Sequence, residues 1–291
     1  MLAYFNHSNV YPKNQPILMK KTVVILGGTG GIGEAAALAL AKQGNDVIIQ
    51  GRDTEKGKKI GDAIVKAGGT AKFIPSAISS VEDVKTIAAE IKKLTNKIDV
   101  LILSTGTLNS DRKETKDGLE EGFLVNYLSK FIVDTLLLNE LKNGEGRIII
   151  VGAPLMKSAT INFNDMQFKN DYSLMKGMGQ NMLAVHMHAQ EFAKKYGSKP
   201  SINVIHPGVV KTGIGRNLKG AMKFFVTAFT PLIGNSAEKS IINIVELANT
   251  DKIESGYFYP KVAKPEAKQK IELDATVAGK VWEESQKIAK L

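Results

Sequence analysis

The chain has 291 residues, of which 43% are hydrophobic and 23% charged, so it is long and apolar enough for a large core and is not a disordered polymer. It holds 39 Lys and Arg against 29 Asp and Glu, a net charge of +10, and no cysteine, which excludes disulfides and thiolate metal sites and fits a reducing, cytoplasmic setting. The basic residues are scattered among acids, and clusters such as Lys56-Gly57-Lys58-Lys59 lack interleaved aromatics, so a solvated exterior is expected and a nucleic-acid partner is not.

Residues 1–18 are polar with two prolines and read as a leader or flexible extension, because Met19-Lys20-Lys21 resembles a start of its own. No later run reaches the ~18 to 20 apolar residues of a membrane span, so no transmembrane segment is expected. From Thr22 onward, short β-branched runs alternate with longer helical stretches, the pattern of βαβ units around a parallel sheet. Strands are predicted at 22–27, 46–50, 70–75, 98–103, 146–152, 201–206 and 256–259. Helices are predicted at 31–43, 54–67, 81–95, 116–141, 172–196, 236–249 and 276–289. The fold class is therefore α/β: residues 19–291 form one Rossmann-like, doubly wound domain with about seven parallel strands and helices on both faces.

Two long connections, 153–171 after the fifth strand and 207–235 after the sixth, begin at the carboxyl ends of strands, where such sheets hold ligands. They are expected to shape the substrate pocket. The segment Met222-Lys223-Phe224-Phe225-Val226-Thr227-Ala228-Phe229 reads as a lid, a dimer contact, an interfacial anchor or a piece of core.

The first strand runs into Gly27-Gly28-Thr29-Gly30-Gly31-Ile32-Gly33, which opens the next helix. Glycine permits the tight turn and the close approach of a pyrophosphate, whose charge is met by unpaired amides and the positive helix end. The second strand ends in neutral Gln50 and Gly51 followed by Arg52, whose planar fork suits a 2′-phosphate, so NADP is favoured over NAD. Asp53, which precedes Thr54-Glu55-Lys56, reads as the N-cap of the second helix.

Further along, Tyr172-Ser173-Leu174-Met175-Lys176 places a tyrosine and a lysine four positions apart, on one face of the predicted helix. An ammonium there would favour the phenolate and let Tyr172 exchange a proton near neutral pH. His186 and His188 lie two apart and diverge, so no shared metal is expected; His206 reads as a packed residue.

These residues resemble the short-chain dehydrogenase/reductase family, in particular its retinol-dehydrogenase-like branch, from about Lys21 to Leu291. The family's T-G-x-x-x-G-x-G turn corresponds to the stretch beginning at Leu26, with Gly27, Gly31 and Gly33 kept. Its Tyr-x-x-x-Lys pair matches Tyr172 and Lys176, its helix asparagine is Asn126, and its proline-glycine motif appears as Pro207-Gly208-Val209-Val210-Lys211-Thr212. Three departures stand out. The N-N-A-G motif reads Leu103-Ser104-Thr105-Gly106, the adenine-contacting aspartate is absent from Pro75-Ser76-Ala77-Ile78-Ser79, and Ala153 stands where the active-site serine is expected.

The resemblance implies hydride transfer between a nicotinamide and a carbonyl or alcohol carbon of a moderately apolar small molecule. It implies Tyr172 as acid/base, Lys176 bound to the nicotinamide ribose, and Asn126 holding a relay water. The implied cofactor contacts are Gly27, Thr29, Gly30, Gly31, Ile32, Gly33, Arg52, Gly106, Tyr172, Lys176, Pro207, Gly208, Val210 and Thr212, and the implied assembly is a homodimer or homotetramer. Ser158, Thr160, Ser104 and Thr105 are candidates to replace the serine hydroxyl. The alternative reading is a catalytically impaired NADP-binding regulatory or scaffold protein of the same fold.

Overall fold

The computed structural model describes residues 20–155, 158–210, 215, 217–220, 223–224 and 234–291. The expectations for residues 1–18, for Lys211 and Thr212, and for most of the 222–229 segment fall outside these residues.

Seven short, mostly apolar runs form parallel strands: β1 (Thr22–Leu26), β2 (Asp46–Gly51), β3 (Thr70–Pro75), β4 (Val100–Leu103), β5 (Arg147–Val151), β6 (Ser201–Ile205) and β7 (Tyr257–Tyr259). A two-residue β8 (Gln269–Lys270), not expected from the sequence, adds antiparallel to β7 and completes the order β3-β2-β1-β4-β5-β6-β7-β8. Runs such as TVVIL and RIIIV are apolar on both faces because both faces are covered. Val23 and Ile25 point into one buried cluster with Leu40 of α1 (Gly31–Ala41), Ile64 of α2 (Thr54–Lys66) and Ile244 of α8 (Ile242–Asn249), which follows the short α7 (Ala237–Ser240). Val24 and Leu26 point into the other, with Ile87 of α3 (Val81–Leu94), Leu183 and Phe192 of α6 (Leu174–Tyr196), and Trp282 of α9 (Ala275–Ala289). Each such side chain contributes roughly 1.5–3 kcal/mol by leaving water.

The predicted helix over 116–141 is not a single helix. A bridge between Glu114 and Glu120 precedes a π-helical turn, Phe123–Leu128, followed by α4 (Ser129–Leu136) and α5 (Leu138–Asn143). The π-turn begins on Glu120, whose buried carboxylate accepts from the amides of Gly122 at 2.7 Å and Phe123 at 2.6 Å. On the far side of α4, buried Asp134 meets His188 of α6 at 2.7 Å, and the imidazole stacks on Trp282. That contact locks α4, α6 and α9 together.

Parallel register brings Leu26, Gln50 and Leu103 level at the carboxyl ends of β1, β2 and β4. The strand order reverses at β1, because β2 and β3 extend to one side and β4 onward to the other. The crevice for a ligand opens at this reversal.

Candidate active site

Near-contacts leave no room for a side chain at Gly33 in the turn or at Gly51 beside it. A Cβ on Gly33 would stand 2.4 Å from the Gly27 carbonyl oxygen, and one on Gly51 would stand 2.2 Å from the Thr29 hydroxyl. Gly27 and Gly31 have φ of 78° and 43°, in the left-handed region that favours glycine. Helix α1 starts at Gly31 with Gly30 as an N-cap that offers no side-chain acceptor, so its first amides face the crevice uncapped. A cradle that a Cβ would fill, beneath the positive end of a helix, fits a dinucleotide pyrophosphate.

Gln50, 4% exposed, fastens the floor: its amide oxygen accepts from Gly27 N at 3.1 Å and its amide nitrogen donates to the Ser76 carbonyl at 2.6 Å. The side chain thus joins the ends of β1, β2 and β3. Arg52 is exposed beyond β2, and Asp53 caps α2 by accepting from Lys56 N at 2.9 Å. The cap was legible in the sequence. Lys56 reaches back to Glu34 of α1 at 3.0 Å, which leaves Arg52 as the one cation at this strand end with no protein partner among the described residues.

The loop after β4 replaces the missing asparagines with other tethers. Ser104 Oγ donates to the Leu26 carbonyl at 2.6 Å, and the same oxygen would stand 2.6 Å from a Cβ on Gly33. Thr105 Oγ1 donates to the Val125 carbonyl at 3.3 Å, while Gly106 is exposed at the crevice. Both hydroxyls are therefore committed to main chain, and Ser158 and Thr160 are exposed on the connection after β5.

Asn126 lies in the π-turn. Its side chain clamps one residue, accepting from Thr107 N at 2.8 Å and donating to Thr107 O at 3.0 Å. Its own carbonyl accepts from Lys130 Nζ at 2.7 Å. Lys130 is 1% exposed, and burial pulls its ammonium down to about 7.

The expectation that Tyr172 and Lys176 share a helix face is corrected. Ser173 Oγ accepts from Lys176 N at 3.3 Å and caps α6, so the helix begins at Leu174 and Tyr172 precedes it. The Tyr172 ring lies against Gly177, where a Cβ would stand 3.2 Å away, and makes an edge contact with Phe168. Its hydroxyl donates to the Asn109 carbonyl at 2.8 Å. Lys176 turns outward and pairs with Asp171. Burial, with the nearby carboxylates Glu120, Asp111 and Glu121, pushes the Tyr172 phenol up to about 12 rather than down.

Ala153 follows β5 and offers no hydroxyl. Its carbonyl oxygen lies 3.0 Å from His186 Nε2, and burial pushes that imidazole down to about 4, so the neutral ring donates to Ala153. Beyond β6, Pro207 is buried, Gly208 has a φ of 77°, and Val210 bridges Asn235. Asn217 and Lys219, from the same connection, reach the loop after β4: Asn217 Nδ2 donates to Asn109 Oδ1 at 2.8 Å and Lys219 Nζ pairs with Asp111 at 2.6 Å. The 207–235 connection thus reaches Asn109, whose carbonyl holds the Tyr172 hydroxyl, and the 153–171 connection brings Phe168 against the Tyr172 ring.

Comparison with known proteins decides the family. The short chain dehydrogenase family pattern matches residues 21–223. The chain belongs to the short-chain dehydrogenase/reductase family. Retinol dehydrogenase 14 of Mus musculus is 30% identical, over 94% of this chain and 90% of its own length. Retinol dehydrogenase 13 of Homo sapiens is 29% identical, over 93% and 85%. Among solved structures, the RhlG/NADP active-site complex of Pseudomonas aeruginosa superposes with a TM-score of 0.66 at 22% identity, covering 85% of this chain and 97% of that one, a likeness of fold. The chain is accordingly an oxidoreductase of a family that binds nicotinamide cofactors and acts on small molecules, in its retinol-dehydrogenase-like branch. No helix among the described residues is long and apolar enough to cross a membrane.

Proposed function

We propose that the protein is an NADP(H)-dependent oxidoreductase that interconverts a carbonyl and an alcohol on a moderately apolar small molecule. The observation that carries this reading is the conjunction, at one end of the sheet, of a glycine-lined turn at an uncapped helix start with a half-buried tyrosine hydroxyl held by the loop after β4, which the 207–235 connection also reaches.

The cofactor, when bound, supplies or accepts the hydride. Gly27 to Gly33 and the α1 amides hold its pyrophosphate, and Arg52 meets the 2′-phosphate. Gly106, Pro207, Gly208 and Val210 border the nicotinamide end. Tyr172 gives the substrate oxygen its proton on reduction and takes it back on oxidation. For that step the hydroxyl exchanges its Asn109 partner for the substrate oxygen, and Lys176 leaves Asp171 for the Tyr172 side, where its charge lowers the phenol. Exposed Met175 and Val209 give the mouth of the site apolar surface, which suits a hydrocarbon-rich substrate.

An assay with NADPH and NADH against a panel of ketones and aldehydes tests the reading. Turnover with NADPH is expected; cofactor binding without turnover of any carbonyl contradicts it. Arg52→Ala is expected to weaken NADPH roughly tenfold more than NADH, since it removes one charge-assisted contact of about 1.5–3 kcal/mol. Equal loss for both cofactors removes the NADP assignment. Ala153 and the raised Tyr172 phenol favour a second reading, a cofactor-binding protein with little catalysis, for which Tyr172→Phe leaves function intact.

A further inference from the structure

Lys130 is among the largest fully buried side chains, and its ammonium is partnered by main-chain carbonyls. Burying an ammonium without a carboxylate is costly, and a leucine or methionine would fill the same volume at no electrostatic cost. The lysine is therefore held for what its head group does. Its Nζ donates to Asn126 O at 2.7 Å and Thr105 O at 2.9 Å, and stands 3.4 Å from Val125 O.

Those carbonyls belong to two elements, the π-turn and the loop after β4, that are also joined by the Asn126–Thr107 pair of hydrogen bonds and by Thr105 Oγ1 to Val125 O, so Lys130 adds a charged donor to that seam. Asn126 and Val125 lie in the π-turn, whose widened geometry draws carbonyls away from the ordinary helical ladder, and Ser129 Oγ takes the Val125 carbonyl at 3.1 Å as well. Thr105 lies in the loop after β4, which Ser104 fastens to the end of β1 and to the glycine turn. We propose that Lys130 is a positioning residue for the nicotinamide end of the dinucleotide. Its Nζ pins the loop after β4 to the π-turn, so that the main chain of residues 104–107 and the Asn126–Thr107 clamp present a fixed wall to the cofactor. The inference rests on the functional reading above.

Lys130→Met keeps the volume and removes the donors. Isothermal titration of the intact protein with NADPH is expected to show a dissociation constant raised at least about tenfold, because a displaced wall costs much of the preorganised affinity. The control is Trp282→Phe, a core truncation on α9 that costs stability without touching the crevice; its dissociation constant is expected to stay within about twofold of wild type. An unchanged constant in folded Lys130→Met overturns the proposal, and so does an equal loss in Trp282→Phe, which would tie affinity to stability alone. If circular dichroism shows Lys130→Met unfolded, Lys130→Gln, with a shorter donor, decides by the same comparison. A wild-type protein that binds neither NADPH nor NADH overturns the functional reading itself, whereas wild-type binding with insensitivity to residue 130 overturns this inference only.

Discussion

The two ends of the crevice are built by different kinds of interaction. At the dinucleotide end the main chain does the positioning: glycines occupy places where a Cβ would collide with Gly27 O or Thr29 Oγ1, and buried Gln50 joins three strand ends. Nothing there depends on a flexible charged side chain except Arg52. At the catalytic end the geometry is set by side chains with alternatives: Tyr172 donates to Asn109 O, Lys176 pairs with Asp171, and Ala153 contributes a carbonyl instead of a hydroxyl. The first end is fixed by packing and has one arrangement. The second is fixed by exposed or half-buried polar contacts, each worth little, and can be rearranged by a ligand at small cost.

Three substitutions or conditions probe this contrast. The largest effect is expected at the catalytic end. Tyr172→Phe removes the only proton donor assigned to the reaction and should lower kcat by roughly 10²- to 10⁴-fold with the NADPH dissociation constant nearly unchanged, as steady-state kinetics and titration will show. A kcat within a few-fold of wild type would take the chemistry away from this residue. Gly33→Ala attacks the rigid end instead. Its added carbon would stand 2.4 Å from Gly27 O and 2.6 Å from Ser104 Oγ, so a loss of about 1–3 kcal/mol in stability is expected, together with at least tenfold weaker cofactor binding. A variant as stable and as tight as wild type would show that the turn is softer than its packing implies.

The smallest effect is a pH dependence of stability beneath Ala153. His186 is held at about 4 by burial, below its ordinary 6.5, so between those values the unfolded chain binds a proton that the folded chain does not. Stability therefore falls as pH drops from 6.5 toward 4, and His206, lowered by burial in the same direction, adds to it. Chemical denaturation at pH 7 and pH 4.5 should differ by about 2 kcal/mol from His186, and His186→Gln should reduce that difference. A difference that His186→Gln leaves unchanged would contradict the neutral imidazole bonded to Ala153.

The rigid end was the more legible one in the sequence, because its determinants are residue types rather than conformations. Seven strands, the glycine turn and the Asp53 cap follow from β-branched runs, glycine spacing and a capping residue, and their positions agree with the structure to within two residues. The catalytic end was misread where a local choice overrode a periodic pattern. Tyr172 and Lys176 have helical spacing, but Ser173 stands between them and is the better N-cap, which moves Tyr172 outside the helix; the serine was the available signal. The 116–141 stretch has helical periodicity throughout, and no feature of periodicity reports a π-turn. Lys130 did leave a trace, a lone cation inside the apolar run FLVNYLSKFIV, although its carbonyl partners become visible only when the loop after β4 is folded against it.

The central claim is that Tyr172 becomes the acid/base once the dinucleotide draws Lys176 from Asp171. With Lys176 paired to Asp171, burial and neighbouring carboxylates push the phenol up to about 12. Titration of tyrosine labelled with ¹³C at Cζ, with Tyr172→Phe to assign the signal, reads that ionisation in the presence and absence of NADP⁺. A midpoint below about 9 is expected when NADP⁺ is bound, as an approaching ammonium favours the phenolate. A Tyr172 midpoint that stays near its high value with NADP⁺ bound would contradict it.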